Sequence, residues 1–338
     1  MSGAKRASYL DKPPSAALNA IYRWKPSRDA NLNKSDRILV TGAAGLMGSA
    51  LVDHLRAEGY QNVTPLARAD CDLVDTAATF AQFERRRPDH VFHAAARVYG
   101  IVGSLKNQGP LFYDNCMMNT NVVEASRRAG VRKVTVMGTG AVYPFPSPGL
   151  PLKEDMIFLG RPHSAHAGYA NAKLAMLAML EAYQDSYGLK WAYIVSANLF
   201  GPRDRFDAET GNVVPSLTKK FYEAKKSGGA VTVWGDGSAQ RDFVYIKDAA
   251  RIALGVMNSV DGPVNMGSGQ VYRIRDVVDA LAEIAGMARR IEWDHSKPNG
   301  QGYRAYDLSK IGGLGLKPAY SIREGLKETW DWYCANHG

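Results

Sequence analysis

The sequence predicts an α/β fold, a doubly wound parallel sheet with a smaller, discontinuous C-terminal α/β domain. Three observations support this prediction. From about residue 36, short apolar stretches typical of buried strands alternate with longer helical patterns. The first stretch runs into Gly42-x-x-Gly45-x-x-Gly48 and then into a helical pattern, as in a Rossmann-like dinucleotide-binding unit. Beyond Gly201 the alternation becomes less regular, which indicates a second unit.

We expect three segments along the chain. Residues 1–35 form an N-terminal extension, because they carry scattered prolines and polar residues and precede the first strand pattern. Residues 36–200, together with about 242–266, form the dinucleotide-binding domain. Residues 201–241, together with about 267–338, form the substrate domain. The chain therefore crosses between the two domains more than once.

Composition limits the function classes. The formal charge of +9 is concentrated in residues 1–35, which hold seven Lys or Arg and two Asp. No basic helix with interleaved aromatic residues is visible, so we expect no nucleic-acid partner. No apolar run reaches the roughly 20 residues that span a bilayer, so we expect no membrane span. The three cysteines are far apart, which predicts neither a disulfide framework nor a metal site and favours the cytoplasm.

The cofactor site is predicted from the glycine turn and from the ends of later strands. An acidic residue usually follows the second strand in a NAD-specific site. Arg68 takes that place, which favours NADP(H) over NAD; the plain alternative is a solvated arginine. Asp72 either meets the adenine or caps a helix. The predicted cofactor-binding residues are Gly42, Ala44, Gly45, Leu46, Met47, Gly48, Arg68, Asp72, Leu73, Ala94, Ala95, Ala96, Tyr169, Lys173, Asn198 and Leu199.

A Tyr-x-x-x-Lys pattern and a threonine predict the catalytic groups. Tyr169 and Lys173 are four residues apart on a predicted helix, so they share one face. A nearby ammonium favours the phenolate and makes the tyrosine a usable proton donor or acceptor, which suits redox chemistry on a carbon–oxygen bond. Thr139 follows a buried strand and offers a hydroxyl to a carbonyl oxygen, unless it merely closes a turn.

The predicted helix from Tyr169 to Tyr187 is apolar on more than one face. Such a helix is buried on more than one face. We therefore expect it to pack on the sheet and also on a partner subunit, giving a homodimer through this helix and the helix that ends near Ala129.

These segments resemble the extended short-chain dehydrogenase/reductase superfamily, and within it most closely the GDP-L-fucose synthases. The resemblance runs from about residue 36 to the C-terminus. Its motifs are the glycine turn, His93-Ala94-Ala95-Ala96, Gly138-Thr139-Gly140-Ala141-Val142-Tyr143-Pro144, Tyr169-x-x-x-Lys173, Asn198-Leu199-Phe200-Gly201-Pro202, Val233-Trp234-Gly235, Arg241-Asp242-Phe243 and Ser296-Lys297-Pro298-Asn299-Gly300.

The resemblance implies reduction of the C4 ketone of a GDP-linked 4-keto sugar, with NADP(H) as cofactor. Tyr169 would protonate the oxygen, Lys173 would hold the ribose and lower the pKa of Tyr169, and Thr139 would bind the carbonyl. The matching nucleotide-sugar-binding positions are Asn212, Val213, Lys220, Trp234, Arg241 and Arg304; the plain alternative for Trp234 is a core aromatic.

One departure from the pattern changes the expected activity. The fucose synthases epimerise C3 and C5 with a Cys and a His, and the matching positions here hold Ala141 and Asn212. A methyl group moves no proton, and an amide is a poor acid or base. We therefore expect a reductase without 3,5-epimerase activity, unless Asp207 or Glu209 compensates and the enzyme is a bifunctional synthase.

Three further interpretations stay open. A nucleotide-sugar 4-epimerase would hold NAD tightly, which Arg68 disfavours. A 4,6-dehydratase would carry an acidic pair where Gly140 and Ala141 stand. A non-catalytic nucleotide sensor would not need Tyr169 and Lys173.

Overall fold

The computed structural model describes residues 32–287, 290–296 and 303–337 of the chain. Most of the predicted N-terminal extension and residues 297–300 of the Ser296–Gly300 motif lie outside the described residues. Among the described residues, no helix combines the length and the apolar character needed to cross a bilayer.

The centre of the molecule is a six-stranded sheet in which every neighbouring pair is parallel. Its strands are β1 (Arg37–Thr41), β2 (Asn62–Leu66), β3 (His90–His93), β4 (Lys133–Met137), β5 (Lys190–Ser196) and β9 (Gly262–Met266). The strand order is β2-β1-β3-β4-β5-β9, and this order reverses direction at β1, as in doubly wound sheets. The central strands β3, β4 and β5 are buried almost throughout, as expected for a sheet covered on both faces, whereas the edge strand β2 is fully buried only at Leu66. The predicted fold class is confirmed.

Two groups of helices pack with this sheet. The helices of the described residues, in chain order, are α1 (Leu46–Ala57), α2 (Thr76–Arg86), α3 (Ile101–Lys106), α4 (Gln108–Arg128), α5 (Ala167–Tyr187), α6 (Val213–Ser227), α7 (Ile246–Ser259), α8 (Ile274–Ala285), α9 (Ser309–Gly313) and α10 (Ile322–His337). Helix α1 packs against α7, and α4 packs against both α2 and α5.

The remaining strands form two small sheets. The pair β7 (Val231–Trp234) and β11 (Ile291–Asp294) is parallel, and β6 (Asn198–Phe200), β8 (Gln240–Tyr245) and β10 (Val271–Arg273) form the order β10-β8-β6. A separate apolar core joins α6, α8 and α10, with Phe221, Leu281 and Trp330 inside it. In the predicted division of the chain, β6 belongs to the dinucleotide-binding domain and β10 belongs to the substrate domain, but both strands pair with β8. The division into two domains therefore stays a prediction.

The sequence Gly235-Asp236-Gly237-Ser238 predicts a hairpin-like turn, and this prediction is wrong. The flanking strands β7 and β8 belong to different sheets. Glycine is needed there for another reason: Gly237 has φ +74°, and a Cβ on it would lie 2.5 Å from the Trp293 ring. A glycine-rich turn between two strands does not reveal whether those strands pair, because the sheet that each one joins is decided by distant segments.

Helix boundaries follow the local signals closely. The sequence predicts a C-terminal helix from Ser321 to Asn336, with Ser321 and Glu324 in capping-box spacing. The observed helix begins one residue later, at Ile322. Its capping box is present, since the Ser321 N–H donates to Glu324 at 2.8 Å and the Glu324 N–H donates to Ser321 Oγ at 3.3 Å. Helix α5 begins at Ala167, two residues before the expected start, and ends where Gly188 adopts φ 70°.

Candidate active site

One cleft of about 960 Å³ lies along the carboxyl ends of the parallel strands, where open α/β sheets bind their ligands. We call it the cleft. It is lined by Gly42, Ala44, Gly45, Leu46, Met47, Arg68, Asp72, Leu73, Ala94, Ala95, Ala96, Thr139, Tyr169, Lys173, Asn198, Leu199, Asn212, Val213, Lys220, Trp234, Arg241 and Arg304. Of the residues predicted to form the site, Gly48 alone does not line it among the described residues.

The glycine turn brings the backbone close to the cleft. Gly42 has φ +68°, and a Cβ on it would lie 2.7 Å from the Ala95 backbone. A Cβ on Gly48 would lie 2.2 Å from the Gly42 carbonyl oxygen, so Gly48 supports the turn from behind. Gly45 is the N-cap of α1, and no side chain caps this end of the helix. The first N–H groups of α1 can therefore meet a pyrophosphate, and the turn fits a dinucleotide.

Arg68 and Asp72 line the cleft just after β2. They form an exposed ion pair of 3.2 Å. Asp75, rather than Asp72, caps α2, because its side chain accepts the Ala78 N–H at 3.0 Å. Asp72 is therefore not needed as a helix cap, and the Arg68 guanidinium lies at the mouth of the site, where a 2′-phosphate would find a cation.

Tyr169 and Lys173 come from α5 and face the end of β4. The Lys173 ammonium donates to the Met137 carbonyl at 2.8 Å and lies 5.9 Å from the centre of the Tyr169 ring. Burial lowers the pKa of Lys173 to about 7. Burial also raises the pKa of Tyr169, because desolvation disfavours the phenolate. Tyr169 is therefore a neutral phenol at pH 7, and the expected lowering of its pKa by Lys173 stays a prediction.

Thr139 stands where β4 leaves the sheet. Its Oγ accepts the Ala141 N–H at 3.2 Å, which holds the side chain in the turn as the plain alternative predicted. The hydroxyl proton is still available, because this bond uses the oxygen as an acceptor. Thr139 can therefore close its turn and donate to a carbonyl oxygen at the same time.

The opposite wall of the cleft carries cations and an aromatic ring. Trp234 is 39% exposed, so it is not a core aromatic. The Lys220 ammonium lies 5.0 Å from the centre of the Trp234 ring. Burial lowers the pKa of Arg241 to about 10, and the nearby Arg304 lowers it further in the same direction. Two guanidinium groups that influence each other in one cleft favour binding of a doubly charged anion.

Further residues line the cleft that the sequence patterns did not single out, among them His166, Asp204 and Tyr306. Burial, with Arg304, His163 and Arg241, lowers the pKa of His166 to about 4. Burial raises the pKa of Asp204 to about 6. Residues three apart share a face of a helix, and residues two apart share a face of an extended segment. His166 is three residues before Tyr169 and Tyr306 is two residues after Arg304, so these spacings could have predicted both residues. Nothing local marks Asp204, because its burial depends on distant elements.

Among the described residues, no cluster of His, Cys, Asp and Glu side chains is placed to hold a metal ion.

Comparison with known proteins agrees with this geometry. A family model, the NAD-dependent epimerase/dehydratase family, matches residues 38–274. A probable GDP-L-fucose synthase 1 from Oryza sativa subsp. japonica is 35% identical, covering 94% of this chain and 98% of that protein. A GDP-L-fucose synthase 1 from Arabidopsis thaliana is 34% identical, covering 90% of this chain and 95% of that protein.

A solved structure is similar over nearly the same range. The GDP-L-fucose synthetase from Naegleria fowleri bound to NADP superposes with a TM-score of 0.85 at 28% identity, covering 94% of this chain and 98% of that one. The resemblance to the extended short-chain dehydrogenases/reductases is thus confirmed. The chain belongs to the NAD-dependent epimerase/dehydratase family.

Proposed function

We propose that this protein reduces the C4 ketone of a GDP-4-keto-6-deoxysugar with NADPH and leaves C3 and C5 unchanged. The observation that carries the proposal is the position of Thr139, Tyr169 and Lys173 in the same cleft as the paired cations Arg241 and Arg304. The cleft thus holds two hydroxyl groups that can bind a ketone oxygen and two guanidinium groups that can bind a diphosphate. Such a cleft suits a substrate that has a carbonyl at one end and a diphosphate at the other.

The chain is an NADP(H)-dependent oxidoreductase. Arg68 supports NADP(H), because its guanidinium can pair with a 2′-phosphate that NAD lacks. The Naegleria fowleri relative is described as bound to NADP. When bound in the cleft, NADPH would supply the hydride that the ketone carbon needs.

The protein supplies the proton and the charge stabilisation. Tyr169 is neutral at pH 7, so it can donate its proton to the ketone oxygen as that oxygen gains electrons. Thr139 donates a hydrogen bond to the same oxygen. Lys173 then stabilises the phenolate that remains, because its ammonium lies on the same face of α5. One hydride at carbon and one proton at oxygen give the alcohol.

The other wall supports a GDP-linked substrate. Arg241 and Arg304 can bind the diphosphate, and Trp234 offers an exposed ring for the base, with Lys220 beside it. Relatives in the same family are described as synthases or reductases of GDP-sugars, including a GDP-6-OMe-4-keto-L-xylo-heptose reductase.

The absence of epimerase activity is supported by the chemistry of the lining. Ala141 and Asn212 face the cleft and offer no group that moves a proton at neutral pH. Asp207 is held by its own loop, accepting the Thr210 N–H at 2.6 Å and the Glu209 N–H at 3.0 Å. The alternative is a bifunctional GDP-L-fucose synthase that uses Glu209 or Asp204, the other carboxyl groups in this loop.

An isotope experiment separates these possibilities. The protein is incubated with NADPH and GDP-4-keto-6-deoxymannose in D₂O, and both cofactor oxidation and deuterium at C3 and C5 are followed by NMR. We expect oxidation without deuterium at those carbons. Deuterium there would identify a bifunctional synthase. No oxidation of NADPH by any GDP-4-keto sugar would contradict the reductase and favour a 4-epimerase, which would retain NAD on purification.

We also propose a homodimer through α4 and α5. These helices pack against each other, and they leave apolar side chains exposed, Phe112 and Tyr113 on α4 and Ala175, Ala178 and Ala182 on α5. The three alanines recur at helical spacing, so they form one stripe. Localisation in a reducing cytoplasm is part of the same proposal, because all three cysteines are unpaired.

The stripe can be tested with one charged side chain. Ala178→Arg should shift the mass in solution from dimer to monomer, because a buried, unpaired guanidinium is costly at an interface. The control is Ala77→Arg, at an exposed position of α2. Light scattering after size-exclusion chromatography gives the mass. A parent protein that is already a monomer would overturn the proposal.

A further inference from the structure

The phenol of Tyr306 lies beside the catalytic turn. Its Oη is so close to Gly140 that a Cβ built on that glycine would lie 2.0 Å from it. Gly140 directly follows Thr139, the residue placed at the ketone oxygen. Tyr306 is 8% exposed and lines the cleft. The Tyr306 hydroxyl therefore lies against the residue that follows Thr139, the side chain proposed to bind the ketone oxygen of the substrate.

The backbone fixes this position. Tyr306 forms a β-bridge with Leu152, and hydrogen bonds of 2.9 Å from the Leu152 N–H to the Ala305 carbonyl and of 2.8 Å from the Asp307 N–H to the Leu152 carbonyl flank it. The Tyr306 ring also packs 6.1 Å from the ring of Tyr143. A side chain held on both sides in this way is preorganised, so little entropy is lost when it binds a ligand group.

The direction of the phenol proton follows from its neighbours. The Arg304 guanidinium donates a hydrogen bond to the Tyr306 oxygen. Burial raises the pKa of Tyr306, so the phenol keeps its proton. With Arg304 supplying a donor to the oxygen, the O–H group of Tyr306 is available to donate to a ligand.

The substrate limits what this donor can meet. In a 4-keto-6-deoxysugar, C3 carries a hydroxyl group, and C5 carries a methyl group and the ring oxygen. The ring oxygen is the weaker acceptor, because it is shared with the anomeric carbon, so the C3 hydroxyl is the better hydrogen-bond acceptor beside the ketone. Resting on the proposed function, we infer that Tyr306 is a specificity-determining residue that donates a hydrogen bond to the C3 hydroxyl of the substrate.

The inference also explains Gly140. Any side chain at this position would force the phenol to shift, because an added Cβ would lie 2.0 Å from the Tyr306 Oη. Gly140→Ala and Tyr306→Phe should therefore have the same effect on specificity by different routes: one moves the hydroxyl and the other removes it.

The test compares two substrates that differ at C3. GDP-4-keto-6-deoxymannose and its 3-deoxy counterpart are assayed with NADPH. The parent should prefer the 3-hydroxy substrate about 10- to 100-fold in kcat/KM, because a site built to bind a hydroxyl rejects an analogue that lacks it. Tyr306→Phe and Gly140→Ala should bring this ratio close to one.

The matched control is Tyr143→Phe. Tyr143 packs on Tyr306 and donates to Asn265 Oδ1 at 2.6 Å, but it does not line the cleft. Its loss should lower both activities equally and keep the ratio. If Tyr306→Phe also lowers both equally, Tyr306 has only a structural role and the inference is overturned.

A binding measurement separates this inference from the proposed function. Calorimetry with GDP-mannose and GDP-3-deoxymannose needs no turnover. If the parent prefers GDP-mannose and Tyr306→Phe loses that preference, the inference holds even where no ketone is reduced. If the parent binds both equally, the inference fails, whatever the reductase assay gives.

Discussion

Replacing Tyr169 with phenylalanine should lower kcat by about 10²- to 10⁴-fold, the range that a positioned proton donor contributes. The ring stays in place, so the packing of α5 and the space for the cofactor are unchanged. What is lost is the neutral phenol beside Lys173, which is the group proposed to deliver a proton to the ketone oxygen. The affinity for NADPH should stay within about twofold, because the loss concerns only the transition state.

The comparison variant is Tyr183→Phe on the same helix. Its hydroxyl donates to Glu124 at 3.0 Å, outside the cleft. This variant should keep the parental kcat, and NADPH fluorescence titration should give equal affinities for all three proteins. Parental turnover by Tyr169→Phe would remove this residue from the mechanism. The proton donor would then be another titratable group that lines the cleft, such as His166 or Asp204.

Local signals were sufficient to predict the frame of the site. A strand that runs into a glycine turn and a helix predicts its own geometry, because the three elements are neighbours in sequence. The same holds for Tyr169 and Lys173, which one helix places on one face. The capping residues, Ser321 with Glu324, and the C-terminal glycines fixed helix ends to within two residues.

Two kinds of feature could not be predicted. The first is contact between distant segments: Tyr306 lies against Gly140 although 166 positions separate them in the sequence. The second is the balance of electrostatic effects. Spacing suggests that Lys173 lowers the pKa of Tyr169. Both groups are buried, however, and desolvation raises the pKa of Tyr169 and lowers the pKa of Lys173. Burial is a property of the whole fold.

Alanine at Gly48 should destabilise the protein by about 1–3 kcal/mol, the usual cost of overpacking a closed site. An added Cβ would lie 2.2 Å from the Gly42 carbonyl oxygen and 2.6 Å from its carbonyl carbon. Both atoms belong to the backbone and cannot rotate away. The helix propensity gained by replacing glycine with alanine, about 1 kcal/mol, is too small to offset the clash. Thermal unfolding measures the loss.

Alanine at Gly45 should have the opposite profile. Gly45 has φ −86° and ψ 173°, which any residue adopts, and the nearest atom to an added Cβ is 3.4 Å away. The free energy of unfolding should change by no more than about 0.5 kcal/mol. The methyl group would instead occupy the cleft in front of the first N–H groups of α1, so the affinity for NADPH should fall by roughly tenfold or more, as expected when about 1.4 kcal/mol is lost. If Gly45→Ala bound NADPH like the parent, the pyrophosphate would not lie on this turn. The two neighbouring glycines thus separate the role of the turn in folding from its role in binding, because one glycine meets the protein's own backbone and the other faces the cleft.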